Sequence, residues 1–81
     1  MNIAFHEKPS ILADFIAKKT SALTVADVAA LLNISKREVY KLVAEFRIPS
    51  FKIGGSIRFD PLVFSVWLRQ KIAPASVERV K

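Results

Sequence analysis

Five long cations define the chemistry open to this chain. Lys36, Arg37 and Lys41 crowd one short segment around Tyr40, and Lys52 and Arg58 flank Gly54-Gly55-Ser56 further on. Lysine and arginine are the side chains that meet phosphates and guanine edges, and a tyrosine tip adds a hydrogen bond beside them. Catalytic sets are absent. No two carboxylates share a face, no Cys/His constellation exists, and Gly54-Gly55 lacks the Lys-Ser/Thr and following helix of a phosphate loop.

Composition narrows the classes further. Thirteen Lys and Arg against seven Asp and Glu give a formal charge of +6 on 81 residues, a potential that attracts polyanions. A hydrophobic fraction of 52% with 25% charged residues predicts one small packed domain. There is no cysteine, and the lone His6 stands in a polar run without a ligand pattern, so neither a metal nor a cofactor nor a small-molecule ligand is expected. No apolar run approaches the roughly 18 residues that span a bilayer, and the N-terminus lacks a basic segment followed by an apolar one. No membrane is expected, and the location should be cytoplasmic.

The elements that must position the cations begin at Leu23. Thr24 and Asp27 have the spacing of a capping box, and Val25, Val28, Ala29 and Leu32 follow a helical period behind it. Asn33 tolerates a left-handed backbone and stops that helix, and Ile34 plugs the corner. Ser35 and Glu38 repeat the capping pattern, so a second helix starts at Lys36. Val39, Leu42, Val43 and Phe46 form its core stripe; Arg37, Tyr40, Lys41 and Ala44 fall on the opposite side, with Lys36 at the edge. That outer face suits a major groove. Lys36 and Arg37 also sit where the helix macrodipole disfavours cations by a few tenths of a kcal/mol, roughly; screening by Glu38 is the bland account of the same fact.

Pro49 ends the second helix at Ile48. Phe51-Lys52-Ile53 and Ile57-Arg58-Phe59 then alternate around the glycine pair as a hairpin. A three-residue loop pairs Ile53 with Ile57, Lys52 with Arg58 and Phe51 with Phe59, which gathers the four apolar residues on one face. It also opposes two cations on the solvent face, a repulsion that a phosphate between them would reverse. Gly55 and Ser56 at the tip permit close approach to a sugar-phosphate strand.

Asp60-Pro61 reads as cap and first residue of a last helix running to about Lys71, with Phe64, Trp67 and Leu68 on one face and Leu62 and Val66 on the other. That other face requires cover from an N-terminal helix or a second subunit. The N-terminal helix opens near Pro9, and Ile11, Leu12, Phe15 and Ile16 make its apolar face, which packs on the core. The expected organisation is a lead-in and helix over 1–22, the main domain over 23–71, and a flexible tail over 72–81.

The order Leu-Thr-Val-x-x-Val-Ala-x-Leu-Leu-x-Ile-Ser-x-x-x-Val-Tyr-Lys-Leu-Val, then Ile-Pro-x-Phe-Lys-Ile-Gly-Gly-Ser-Ile-Arg-Phe-Asp, then Trp67-Leu68, resembles the excisionase-family helix-turn-helix domain, related to the DNA-binding half of MerR-type regulators. The resemblance runs from Leu23 to about Gln70. It implies a mainly α fold with a small β-hairpin: a winged helix-turn-helix, here with an extra N-terminal helix. It also implies that Ser35, Lys36, Arg37, Tyr40 and Lys41 contact DNA from the recognition helix, and Lys52, Gly55, Ser56 and Arg58 from the wing. Two departures stand out. Asn33 replaces a common glycine, and Phe46-Arg47 replaces the glycine that often ends the second helix, which leaves the wing angle open.

The function implied is a sequence-preferring binder of double-stranded DNA without catalysis. Excisionases that steer an integrase and AlpA-like regulators of prophage genes use the same domain, so an integrase or another copy on an adjacent site is the implied protein partner. The alternative is a degenerate winged helix that docks a protein through its apolar last helix.

Overall fold

The computed structural model describes residues 10–72. The readings made for residues 1–9, including His6 and a helix opening at Pro9, and for the tail over 73–81 lie outside the described residues. The element order is α1 (Ile11–Ala17), α2 (Val25–Leu32), α3 (Lys36–Ala44), β1 (Phe51–Ile53), β2 (Ser56–Arg58) and α4 (Pro61–Lys71). This is a mainly helical chain with one two-stranded antiparallel hairpin, the winged helix-turn-helix arrangement.

Side-chain oxygens start every helix. Ser10 accepts from the Ala13 N–H at 3.0 Å, so α1 begins at Ile11 under a serine cap. The Thr24–Asp27 box closes in both directions, at 3.0 and 2.9 Å. Ser35 accepts from the Glu38 N–H at 3.0 Å, but the Glu38 carboxylate does not return the bond. Asp60 accepts from Leu62 and Val63 ahead of Pro61.

Helices α2 and α3 end in the same motif. Asn33 takes φ 57°, and the Ile34 and Asn33 amides donate back to Ala29 and Ala30. Phe46 also takes φ 57°, and the Arg47 and Phe46 amides donate back to Leu42 and Val43. Both are Schellman turns, which need a left-handed residue just past the helix. Phe46 therefore does the task of the absent glycine. It leaves the expected core stripe as a result: α3 stops at Ala44, and the Phe46 ring stands 95% exposed.

One residue or more from each helix, with Phe59 after β2, builds the core: Ile16, Val25, Val28, Ala29, Val39 and Phe64, with Leu23 and Ile48 from the connections. Phe59 and Phe64 meet at 6.1 Å, and Phe64 stacks on Trp67 at 5.4 Å. The Trp67 indole N–H donates to the Arg47 carbonyl at 3.0 Å, which anchors the chain leaving α3 to α4.

Helix α1 packs against α4 and sends Ile16 into the core. Its buried side is Ala13 and Ile16 with Leu12, so the expected apolar face is turned: Ile11 is 92% exposed and Phe15 about half so. On α4 the expected division holds. Phe64 is buried with Trp67 and Leu68 beside it, and Leu62 and Val66 remain exposed even with α1 in place. Asp14 and Arg69 form an ion pair across the two helices. Among the described residues no helix is long and apolar enough to cross a membrane.

The hairpin register differs from the sequence reading. Phe51 pairs with Arg58, Lys52 with Ile57 and Ile53 with Ser56, closing a two-residue turn at Gly54-Gly55 in which Gly54 takes φ 61°. Leu23 pairs with Phe59 in an isolated antiparallel bridge, which seats Phe59 in the core with Ile57 on the same side of β2 in either register; the tight Gly54-Gly55 turn is what shifts β1 by one residue. Because strand side chains alternate, the one-residue difference puts Lys52 on the Ile57 face and turns Phe51, Ile53 and Arg58 to the other. Lys52 and Arg58 are thus not cross-strand neighbours, and no phosphate can sit between them in the way the pairing required.

Candidate nucleic-acid interface

The α2–α3 corner decides where the cations go. With Val39 fully buried and Leu42 and Val43 packed on the core, the helical period leaves Lys36, Arg37, Tyr40 and Lys41 exposed on α3. Tyr40 is half exposed. Ser35 is committed to its cap, although its oxygen lies on the exposed edge of the turn.

The wing supplies a second group. Ser56 and Gly55 are exposed at the tip, and Arg58 is half-buried with one guanidinium nitrogen donating to the Ile57 carbonyl at 2.8 Å. That bond holds the arginine along the strand. Neither glycine is crowded, since a Cβ built on either would meet nothing within 4 Å. Gly54 needs its positive φ, whereas nothing inside the fold requires glycine at position 55.

The two groups converge. Lys36 and Tyr40 of α3, Gly55, Ser56 and Arg58 of the wing, and Thr24 to Ala26 at the start of α2 line one open cleft. Arg37 and Lys41 stand outside it on the exposed α3 face, and Lys52 lines a different groove. The α2 N-terminus was not among the sequence candidates. Its capping box marks where the helix starts, but only the Leu23–Phe59 bridge brings that start beside the wing.

The electrostatics favour an anion. Among the described residues the ion pairs are Arg47 with Glu45 and Arg69 with Asp14, so Lys36, Arg37, Lys41 and Lys52 face solvent without a carboxylate in contact. The α2 N-terminus adds little to this, because its dipole is already met by the Asp27 carboxylate of the capping box. No cluster of potential metal ligands occurs among the described residues.

A family model described as a helix-turn-helix domain matches residues 22–72. Two Mycobacterium tuberculosis proteins, from strains H37Rv and CDC 1551, are each 50% identical to the chain over 40 residues, covering 49% of this chain and 51% of theirs; both carry the name "Putative DNA-binding protein". YvgK of Bacillus subtilis, named as an uncharacterized protein, is 38% identical over 42 residues, covering 52% of this chain and 14% of its own. The chain spans about half the length of the mycobacterial relatives it matches. No solved structure matches it.

Proposed function

The chain belongs to the helix-turn-helix domain family, and from that premise we propose that it is a sequence-preferring binder of double-stranded DNA, non-catalytic and intracellular. In this reading α3 enters the major groove. Arg37, Tyr40 and Lys41 face base edges and flanking phosphates, and Ser35 and Lys36 meet the backbone where the helix enters. The wing lies on the backbone or in the adjacent minor groove, with Gly55 and Ser56 closest and Arg58 behind them. Lys52, on the other wing face, contributes charge at longer range.

The observation that carries the reading is the shared cleft: residues of α3, the wing and the α2 N-terminus converge on one positive, open surface. An open cleft that sets Lys36 and Arg58 beside an unhindered glycine tip fits a sugar-phosphate strand better than it fits a small ligand. The finer role is a regulator or excisionase-like factor of a phage or integrative element, acting beside an integrase or as several copies on adjacent sites. What supports this is the order of motifs in the chain, and several copies are invoked because one such domain buries too little DNA for high specificity alone.

The test is selection of bound duplexes from a random library at about 150 mM salt, followed by titration of the winner against scrambled DNA. Enrichment of a motif, with tighter binding to it, is the expected result. No enrichment together with no salt-sensitive binding removes the DNA reading.

A further inference from the structure

Phe46 is costly twice over. Its ring is 95% exposed, and its backbone holds φ 57°, a conformation that glycine adopts freely and a residue with a Cβ does not. The turn after α3 needs only a left-handed residue, so no bond within the described fold calls for an aromatic there. The ring forms one wall of an open groove of about 870 Å³ between the end of α3, the segment leading into β1, and α4. Phe51 and Trp67 also line it, and Arg47, Lys52 and Lys71 stand at its border. The adjoining acid, Glu45, is taken up by Arg47 at 3.2 Å.

We propose that this groove docks an acidic segment of a partner protein. One large apolar side chain of that segment would lie against Phe46 and Phe51, and its carboxylates would meet Lys52 and Lys71, the Arg47 charge being taken up by Glu45. Apolar lining with a cationic border is complementary to that chemistry. Single-stranded nucleic acid fits less well, because successive bases need successive free ring faces, and beside the exposed Phe46 the Trp67 ring is already occupied. Trp67 has Phe64 stacked on it, its N–H donates to Arg47, and the Lys71 ammonium stands 5.7 Å from its ring centre. The chain's own 73–81 segment carries Arg79 and Lys81 against Glu78, the same sign as the groove. The site shares only Lys52 with the DNA contacts proposed above, so it stands independently of them.

The experiment is selection from a displayed library of random linear peptides against the full chain at about 150 mM salt, with winners titrated by NMR. Winners should be enriched in Asp and Glu around a large apolar residue, and shift the amides of Phe46, Arg47, Phe51 and Lys71. Phe46→Gly should melt no lower than wild type and keep its DNA affinity, yet bind the winners at least tenfold more weakly. Lys71→Glu should weaken them comparably. The proposal fails if no acidic enrichment occurs, or if Phe46→Gly binds the winners normally. It fails equally if that variant loses DNA affinity in parallel, which would assign the groove to DNA, or if Val77 or Val80 shows intramolecular contacts with the Phe46 ring, which would assign it to the chain itself.

Discussion

Leu23 and Phe59 exchange both backbone hydrogen bonds, each 2.9 Å long, and this pair joins the residue before the α2 cap to the end of the wing. It sets the distance between the α2 N-terminus and the wing tip, and it seats the Phe59 ring in the core. Phe59→Ala removes a ring that is 0% exposed, at a cost of about 3–5 kcal/mol. That approaches the whole stability of a small domain. The variant should be largely unfolded by circular dichroism at room temperature, whereas Phe59→Leu should fold with a lowered melting point. A native melting curve for Phe59→Ala would deny the ring its role in the core.

Gly54 and Gly55 should separate cleanly. Gly54→Ala forces a Cβ onto φ 61° and should cost about 1 kcal/mol in stability. Gly55→Ala has neither a strained φ nor a contact to meet, so its melting point should not fall. Its DNA affinity should, because a methyl group holds the wing tip off the strand. Normal binding by Gly55→Ala would place the tip away from DNA.

Binding should weaken steeply with salt, with a log–log slope of about −4 to −6 for a bound monomer or tightly coupled pair. A slope near zero would contradict contacts dominated by phosphate.

Arg37→Ala should relax base preference by about 1–3 kcal/mol, read as a narrowed gap between selected and scrambled duplexes. Lys52→Ala should weaken both duplexes alike and flatten the salt slope. Equal losses on both duplexes for both variants would abolish the division between a reading helix and a positioning wing.

The two N-caps should match. Thr24→Ala and Ser35→Ala each remove one side-chain acceptor from a first-turn amide, while the Thr24 N–H goes on donating to Asp27, so each should cost about 1 kcal/mol. Thermal melts of the two variants without DNA give the comparison.

Much of this was legible in the sequence because it is local. A cap, its partner three residues on and the left-handed stop at Asn33 lie within one helix turn or two, so α2 and α3 begin where their spacing puts them. The exposed cations of α3 follow from Val39 by periodicity alone. The wing register was not legible, because the glycine pair fits both a two-residue and a three-residue loop and the structure closes the shorter one. Collecting apolar residues on one face then favoured the wrong parity. Phe46 was misread for a related reason: its period continues the α3 stripe, yet the Schellman turn ends the helix two residues earlier. The turned face of α1 has a non-local origin, since what buries Ala13 and exposes Ile11 is the partner helix α4.

The Asp14–Arg69 contact joins residues 55 positions apart and so encloses nearly the whole described chain. Every other pairing of elements closes a shorter loop. Loop-closure entropy therefore delays the α1–α4 contact until the rest has condensed. With seven residues, α1 is too short to hold helical structure alone. Detachment and melting of α1 are thus a single event, the first opening the native chain undergoes. Its amides should exchange with solvent hydrogen faster than those of α2 and α3, ahead of global unfolding.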